Sequence, residues 1–532
     1  MDRVQLTGLS IFSAILLSLP WPGILPGWIL FFSLVPLLIV EDDLYNHRNK
    51  YTGIVFLGYA WLCFVLWNAL STWWIANATV TGAVLVTFLN ASFMATVWWL
   101  FHLVKRRLRH PGYLSLVVFW ISFEYLHYQW EIQWPWLNLG NGFANQVRLV
   151  QWYQYTGVLG GTLWVLMINL LLFRLYKEIT GAVQTSKTVT ITLVLSTAFI
   201  PSWLSVGAYN RYQDQGVPVE IVVLQPNIDP YSKKFDKMSY SGQIRVLLQL
   251  TDSLVTAATE YVIGPETALP PLWETPGMRQ HPYLIPFYKT ALTHPGLKFI
   301  LGATTRIRFR EKDEISATVR FNAADSSWYD VYNTALQIDA SGKVQTYHKS
   351  ILVSGVEKMP FSRYFSFLEE YVIDLGGTTG SLGSQEEPSN FTSGNDVQAA
   401  PVICYESVFG EYITKSIKKG AGLIVVMTND GWWGDTPGYK QHLSFARLRA
   451  IETRRAVARS ANTGISALIN QRGDIVQQTR WWTRTALKGT LKANKNLTFY
   501  VRYGDYIGRI SVFLSALLLL YCLAQNRIKK RR

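Results

Sequence analysis

The chain has 532 residues and a formal net charge of +15, yet charged residues make up only 16% of it and hydrophobic residues 49%. This composition excludes a disordered chain, and three cysteines in such a length exclude a disulfide scaffold. The mean hydropathy of +0.13 is high for a soluble enzyme and low for a chain that is membrane-embedded throughout. Two unlike parts explain this average, because residues 1–206 contain 18 charged residues and the other 326 contain 67.

Seven apolar stretches of about the length that crosses a bilayer precede residue 207, and an eighth lies near the C-terminus. They cover about 5–21, 24–40, 53–75, 80–104, 112–128, 156–176, 188–206 and 507–525. Pro20, Pro22 and Pro26 separate the first two, which predicts a tight helical hairpin. A cleavable signal peptide at 1–20 is disfavoured, because no small-residue cleavage site precedes the next apolar run.

Lysine and arginine accumulate on one side of these predicted spans. If the N-terminus is cytoplasmic, the short outside loops contain only Arg148, and the other basic residues face the cytoplasm. The inside set is Arg3, Arg48, Lys50, Lys105, Arg106, Arg107, Arg109, Arg174, Lys177, Lys187, Arg527, Lys529, Lys530, Arg531 and Arg532. We therefore expect both termini in the cytoplasm and a domain outside it. The basic excess at membrane edges also argues against a nucleic-acid partner.

Two features of the membrane part exceed what a passive anchor needs. Residues 129–155 carry four tryptophans and few charges, which is typical of a segment in the outer membrane interface; they are Trp130, Trp134, Trp136 and Trp152. Glu124 falls near the end of the fifth predicted span. A carboxylate there either has a specific role or faces the lipid headgroups.

From Val219 the chain alternates short β-rich runs with helical stretches, which predicts an α/β layered domain of about 300 residues. The domain limits are then 1–206 (membrane), 207–506 (α/β) and 507–532 (last span and basic tail). Predicted strands are 219–225, 260–264, 298–306, 332–339, 343–348, 399–404, 423–428, 465–470 and 474–480. Predicted helices are 236–258, 279–294 and 437–460. Turn sequences at 339–342 and 471–474 predict hairpins, and the composition of 378–398 predicts a mobile loop.

Cys404 is the one cysteine of the predicted outside domain, since Cys63 and Cys522 fall within predicted spans. An unpaired thiol in an oxidising compartment is a liability unless it is used. Cys404 ends a predicted strand and opens a turn, a position where α/β folds present reactive groups. It is therefore either a nucleophile or a buried structural thiol.

A cysteine nucleophile needs a base, and the histidines of this domain show no catalytic or metal-binding spacing; they are His281, His294, His348 and His442. Glu266 and Lys349 each follow a predicted strand, as Cys404 does. Three strand-end residues, an acid, an amine and a thiol, can converge on one edge of a sheet. No metal or other cofactor is expected.

These three residues and the sequences around them resemble the nitrilase superfamily. The matching motifs are Gly264-Pro265-Glu266, Tyr347-His348-Lys349, Ile403-Cys404-Tyr405-Glu406, the run 428–435 (TNDGWWGD), His442, Ala446-Arg447, Arg449-Ala450 and 459–464 (RSANTG). With eight predicted spans, the chain is similar to the apolipoprotein N-acyltransferase family of that superfamily. The resemblance implies a polytopic α-helical membrane domain of about eight spans plus an extracytoplasmic α/β domain with an α-β-β-α sandwich.

The resemblance also implies an activity and its partners. An acyl chain from a membrane phospholipid is transferred to the N-terminal amine of a diacylglyceryl-cysteine lipoprotein, through a thioester on the cysteine. The enzyme would work as a monomer in the bacterial inner membrane with its catalytic domain on the periplasmic side. Donor and acceptor are both lipid-anchored, so a site at the membrane face saves extracting their chains into water.

Residue roles follow from the same resemblance. Glu266 would be the general base, Lys349 and the Tyr405 N–H would stabilise the oxyanion, and Cys404 would be the nucleophile. Glu357 would orient Lys349 and keep it charged, while Glu406 either shapes the substrate entrance or supports the thiol. For Glu357 and Glu406 a surface salt bridge is the alternative interpretation.

The sequence departs from the family pattern in two places. Residues 353–357 (VSGVE) replace a Pro-Phe-Gly-Glu-like stretch, although the acidic Glu357 is retained. Phe235 stands where a tryptophan is often found in the loop after the first strand.

Two other functions stay open from the residues alone. A membrane-bound amidase of the nitrilase type would use the same three residues. A transporter or receptor with an inactive outside domain would need charged residues within its spans, which contain almost none.

Overall fold

The computed structural model describes residues 1–21, 23–108, 112–229, 240–309, 318–323, 326–361, 381–392 and 397–531. It divides into two compact units. One consists of Met1–Tyr212 and Tyr503–Arg532, and the other is Gln213–Arg502.

The first unit is helical throughout, as predicted. Among its described residues, five segments are long and apolar enough to cross a membrane: Gly53–Asn77, Val80–Leu108, Tyr153–Ile179, Lys187–Arg211 and Tyr506–Gln525. Arg3–Ser18 and Gly112–Leu126 are shorter apolar helices. Five of the eight predicted spans are therefore confirmed in length and composition.

The predicted span 24–40 is not one helix. A 3-10 turn at Gly27–Ile29 is followed by the helices Leu30–Ser33 and Val35–Asn46, with a break at Leu34. Asn169 Oδ1 accepts a hydrogen bond from the Leu34 N–H at 2.8 Å, and its Nδ2 donates to the Leu30 carbonyl at 2.7 Å. An apolar environment offers no water to backbone groups, so the Asn169 amide is what makes the break tolerable.

Glu124 is buried, with 1% of its surface exposed, so it does not face the headgroups. Its carboxylate accepts hydrogen bonds from Trp120 Nε1 at 2.9 Å, the Leu139 N–H at 2.9 Å and Thr162 Oγ1 at 2.6 Å. Residues 135–144 are buried beside it in short 3-10 turns rather than spread on the surface of the unit. Glu124 therefore fixes this tryptophan-containing segment to two helices.

The second unit contains two β-sheets. The eight-stranded sheet has the order β13-β1-β2-β4-β6-β5, with β3 paired to β4 and β7 to β6. Its strands are β1 Val217–Gln225, β2 Thr259–Ile263, β3 Leu269–Trp273, β4 Lys298–Phe309, β5 Arg320–Asn322, β6 Ser327–Asp339, β7 Val344–His348 and β13 Thr485–Ala493. The five-stranded sheet has the order β12-β11-β10-β9-β8. It consists of β8 Gln398–Ile403, β9 Ala421–Thr428, β10 Ala456–Ala461, β11 Ala467–Ile469 and β12 Ile475–Gln478.

The two sheets pack face to face and helices cover their outer faces, which confirms the α-β-β-α sandwich. Apolar residues of both sheets form the inner core, including Tyr261, Ile263, Ile403 and Met427. The helices Tyr240–Asp252 and Ile285–Thr293 contribute to a core on one outer face. The helices Gly410–Lys418 and Pro437–Thr453 do so on the other. Phe499–Tyr503 is a last short helix.

All nine predicted strands are present, and both predicted hairpins join antiparallel pairs, β6–β7 and β11–β12. The predicted helix 437–460 is too long. It ends at Thr453, Arg454 adopts a left-handed conformation with φ 51°, and β10 follows. The strands β3, β5, β10 and β13 were not predicted from the sequence. The first residues of the predicted helix 236–258 lie outside the described residues. Part of the predicted loop 378–398 does so as well.

Candidate active site

Each of the three predicted catalytic residues follows the C-terminal end of a different strand. Glu266 lies three residues beyond β2, Lys349 directly follows β7, and Cys404 directly follows β8. The Glu266 turn packs closely on β4, because a Cβ added to Gly302 would lie 2.6 Å from the Pro265 carbonyl oxygen and 2.7 Å from Glu266 Cα. Only glycine at this position lets β4 pass under the turn that presents Glu266.

Glu266, Lys349 and Glu357 form one buried cluster. Lys349 Nζ lies 2.8 Å from Glu357 Oε1 and 3.5 Å from Glu266 Oε1, and only 1% of the Lys349 side chain is exposed. Asn333 Nδ2 donates to both carboxylates, at 2.8 Å to Glu266 and 3.1 Å to Glu357. The Asn429 N–H donates to the other oxygen of Glu266 at 3.1 Å. These contacts fix the orientation of both carboxylates around one ammonium group.

The charge of Lys349 depends on its two carboxylate neighbours. Burial alone would lower the pKa of Lys349, but the charges of Glu357 and then Glu266 raise it above its usual range. The two carboxylates therefore favour the ammonium form of Lys349, whereas burial alone would favour the neutral amine. Glu357 is also fixed by the backbone, since the Val353 N–H donates to its second oxygen at 2.8 Å.

Cys404 presents its thiol from a strained position. Its φ is 50°, a left-handed conformation that non-glycine residues rarely adopt, at the start of the 3-10 turn Cys404–Val408. Thr428 Oγ1 donates to Cys404 Sγ at 3.3 Å. Burial, followed by the negative charge of Glu266, raises the pKa of the Cys404 thiol, while Lys349 opposes that shift. Burial and the charge of Glu266 therefore favour the thiol over the thiolate at Cys404.

Glu406 is fully buried, which disfavours a place at a substrate entrance and a surface salt bridge. One of its oxygens accepts from the Ile403 N–H at 2.7 Å; the other accepts from the Ser350 N–H at 2.7 Å and from Tyr347 Oη at 2.6 Å. Burial raises the pKa of Glu406 to about 7. This carboxyl group therefore joins the strand end of Cys404 to the strand end of Lys349.

The ring of Tyr405 is also buried, and it packs edge-on against Phe409 with 5.1 Å between the ring centroids. Phe235 lies outside the described residues, so its role stays a prediction.

Sequence reasoning missed the polar residues that surround these groups. Asn333 contacts both carboxylates, and His442 Nε2 lies 3.0 Å from the Cys404 carbonyl oxygen. No spacing pattern could have assigned Asn333, which lies in the middle of a long strand. Within the described part of the chain, no three or more His, Cys, Asp or Glu side chains are grouped as a metal site would require.

Comparison with known proteins agrees with this architecture. Residues 220–495 match the family described as carbon-nitrogen hydrolase, and residues 13–171 match the apolipoprotein N-acyltransferase N-terminal domain. The apolipoprotein N-acyltransferase of Chlorobaculum tepidum is 28% identical over 518 residues, which cover 95% of this chain and 94% of that protein. The one of Thermotoga maritima is 25% identical over 530 residues, covering 95% and 92%.

Among solved structures, Saccharomyces cerevisiae Nit3, a member of branch 10 of the nitrilase superfamily, is 15% identical with a TM-score of 0.35. The match covers 52% of this chain and 90% of that one.

The α/β unit thus has the carbon-nitrogen hydrolase domain of the nitrilase superfamily. With its helical N-terminal part matched as well, the chain belongs to the apolipoprotein N-acyltransferase family.

Proposed function

We propose that this protein transfers an acyl chain from a membrane phospholipid to the N-terminal amine of a diacylglyceryl-cysteine lipoprotein, through a thioester on Cys404. The observation that carries the proposal is the buried cluster at the strand ends. Glu266 and Lys349 lie 3.5 Å apart, and the charge of Glu266 raises the pKa of the Cys404 thiol while that of Lys349 lowers it. Membership of the apolipoprotein N-acyltransferase family supports the lipoprotein acceptor.

The first half-reaction forms the thioester. Glu266 takes the proton from Cys404 Sγ while the thiolate attacks the ester carbonyl of the phospholipid. Lys349 and the backbone N–H of Tyr405 stabilise the resulting oxyanion. When the intermediate collapses, the C–O bond breaks, and Glu266 returns its proton to the oxygen of the departing lysophospholipid.

The second half-reaction transfers the acyl chain to the amine. The α-amine of the lipoprotein attacks the thioester carbonyl, Glu266 accepts a proton from the amine, and the same oxyanion groups act again. The C–S bond then breaks and Cys404 regains a proton. A thioester suits this step, because it reacts with amines more readily than an oxygen ester does. Exclusion of water from the site protects the intermediate from hydrolysis.

We further propose that the catalytic domain, residues 207–506, faces the periplasm of a bacterial inner membrane and that both termini are cytoplasmic. The distribution of lysine and arginine around the predicted spans supports this orientation. Donor and acceptor are then reached from the same side of the membrane as the catalytic domain. The proposal includes a monomeric enzyme without a cofactor.

An impermeant thiol reagent tests orientation and chemistry together. In cells with a permeabilised outer layer, we expect the reagent to label Cys404 but not Cys63 or Cys522, with a Cys404→Ser variant as the control. Prior incubation with phospholipid should block labelling, because the thiol is acylated. A diacylglyceryl-cysteine peptide with a free α-amine should restore labelling, and its N-acetylated counterpart should not.

Two outcomes would contradict the proposal. If water alone restores labelling, at equal rates with either peptide, the protein is a lipid hydrolase. If phospholipid gives no protection while a small amide is hydrolysed, the protein is an amidase of the nitrilase type.

The ion pair of Lys349 with Glu357 predicts a change in pH dependence. Because Glu357 raises the pKa of Lys349, a Glu357→Gln variant should have a lower Lys349 pKa, with the largest opposing charge removed and burial opposed mainly by Glu266. The cation that stabilises the oxyanion is present below this pKa and is lost as pH rises through it. We expect kcat/KM of the variant to fall about tenfold per pH unit above the new pKa, where the wild type stays level.

A matched control for this variant is Glu387→Gln, which removes an exposed glutamate that pairs with Lys415 at 2.9 Å. Its pH profile should equal that of the wild type. Identical alkaline profiles for Glu357→Gln and the wild type would show that Glu357 does not maintain the charge of Lys349.

A further inference from the structure

The carbonyl oxygen of Cys404 is contacted by two side chains, Ser407 and His442. Ser407 Oγ donates to this oxygen at 2.7 Å, and His442 Nε2 lies 3.0 Å from it. A carbonyl oxygen can only accept, so His442 carries a proton on Nε2 in this contact. Both side chains are fully buried.

His442 is itself fixed by charged neighbours. Its Nδ1 lies 3.1 Å from Asp430 Oδ1 and 3.2 Å from Arg459 Nη2, and Arg459 Nη2 donates to Asp430 Oδ2 at 2.6 Å. None of these three side chains is exposed. The imidazole therefore has one orientation, with Nε2 directed at Cys404.

The order Ser407, His442, Asp430 resembles the relay of a serine hydrolase, since Ser407 Oγ lies 2.9 Å from His442 Nε2. A substrate cannot reach a serine that is completely buried and bonded to the Cys404 carbonyl. The arrangement therefore serves the neighbouring cysteine rather than a second reaction.

The Cys404 carbonyl and the Tyr405 N–H belong to one planar peptide unit and point in opposite directions. Fixing the carbonyl therefore fixes the direction of the N–H. Cys404 also has φ 50°, a conformation that persists only where its surroundings enforce it. Without the two donors, this peptide unit can rotate and turn the N–H away from the thiol.

We infer that His442, supported by Asp430 and Arg459, is a positioning residue that holds the Cys404–Tyr405 peptide so that the Tyr405 N–H faces the oxyanion formed at Cys404. The inference rests on the proposed thioester chemistry. It separates two properties of the site, because attack on an ester needs the oxyanion donor whereas alkylation of the thiol by iodoacetamide forms no oxyanion.

The test compares both reactions in the full-length protein purified in a detergent that carries no acyl ester, so that Cys404 starts as a free thiol. Phospholipid is added to one sample and iodoacetamide to the other. Acyl-Cys404 formation is followed in a single turnover by intact mass, and Cys404 alkylation by iodoacetamide is followed in parallel. For His442→Ala we expect acyl-Cys404 formation to fall by about tenfold to a hundredfold, with alkylation within about twofold of the wild type. His294→Ala, in a histidine at the end of the helix Ile285–Thr293, is the control and should change neither rate.

Two further variants separate positioning from folding. Glutamine carries its Nε2 donor as many bonds from Cβ as histidine does, so His442→Gln should recover most of the acylation rate. Ser407→Ala removes the other donor to the same oxygen and should slow acylation by about threefold to tenfold, again without slowing alkylation.

Equal losses in acylation and alkylation would overturn the inference, because His442 would then support the thiol or the fold as a whole. Unchanged acylation in His442→Ala would overturn it as well. If the wild type forms no acyl-Cys404, the proposed function itself fails and the inference falls with it. If the wild type and the variants form the thioester at equal rates, the inference about His442 is wrong and the proposed function still stands.

Discussion

Replacing Cys404 by serine is expected to reduce acyl transfer below about 1% of the wild-type rate while the protein stays folded. The change exchanges one sulfur for one oxygen at a partly buried position, so the packing is nearly preserved. An alcohol is much harder to deprotonate than a thiol, and a carboxylate such as Glu266 is too weak a base for it. The measurement is transfer of a labelled acyl chain from phospholipid to a diacylglyceryl-cysteine peptide.

Cys63→Ser and Cys522→Ser are the matched controls, since both thiols lie in the helical unit. They should retain activity close to that of the wild type. If Cys404→Ser keeps more than a few per cent of the activity at normal expression, Cys404 is not the nucleophile.

Lys349→Ala and Glu266→Gln are expected to abolish turnover for different reasons. In Glu266→Gln the base is lost, so Cys404 should react more slowly with a thiol alkylator at neutral pH as well as with phospholipid. In Lys349→Ala the oxyanion loses its cation, and thioester formation should fall by about a hundredfold to a thousandfold. Alkylation of Lys349→Ala should be reduced much less than thioester formation.

The paired measurement makes the two assignments independent. Identical alkylation rates in the wild type and in Glu266→Gln would exclude Glu266 as the base. Thioester formation and alkylation that fall in proportion in Lys349→Ala would mean that the lysine acts on the thiol rather than on the transition state.

The proximity of Glu266 and Lys349 was predictable because both residues follow strands of one sheet, and strand ends are fixed by hydrogen-bond register. Lys349 follows β7, which pairs with β6, and Glu266 follows β2, which pairs with β4. Hydrophobic runs and turn residues were enough to locate all four strands.

The residues that orient this cluster could not be predicted, because their contacts cross long stretches of sequence. His442 is 38 residues from Cys404 and lies on a helix, where a buried histidine is usually a packing residue. Asn333 is 67 residues from Glu266. Asn333 has no local pattern that differs from its surroundings, and His442 belongs to the motifs of the family resemblance, which assigned it no role.

The predicted helix lengths were wrong where a single residue, rather than the average hydropathy of a segment, determined the end of the helix. The apolar pattern continued past Thr453, but the left-handed Arg454 ended the helix and a strand followed. The apolar stretch 24–40 broke at Leu34, where the side chain of Asn169, from a distant helix, satisfies the exposed backbone groups. Hydropathy windows record neither event.

Glu266 and Lys349 follow strands of the eight-stranded sheet, whereas Cys404 follows a strand of the five-stranded one. The inner core contains residues of both sheets, such as Tyr261 and Met427. Its thickness therefore sets the distance between Cys404 and Glu266, the proposed nucleophile and base. Protein interiors compress little, so a methylene group added between the sheets shifts one sheet relative to the other. We therefore expect the core between the sheets to tolerate fewer substitutions than the cores beneath the outer helices. Substitutions between the sheets should reduce the activity before they reduce the stability of the fold.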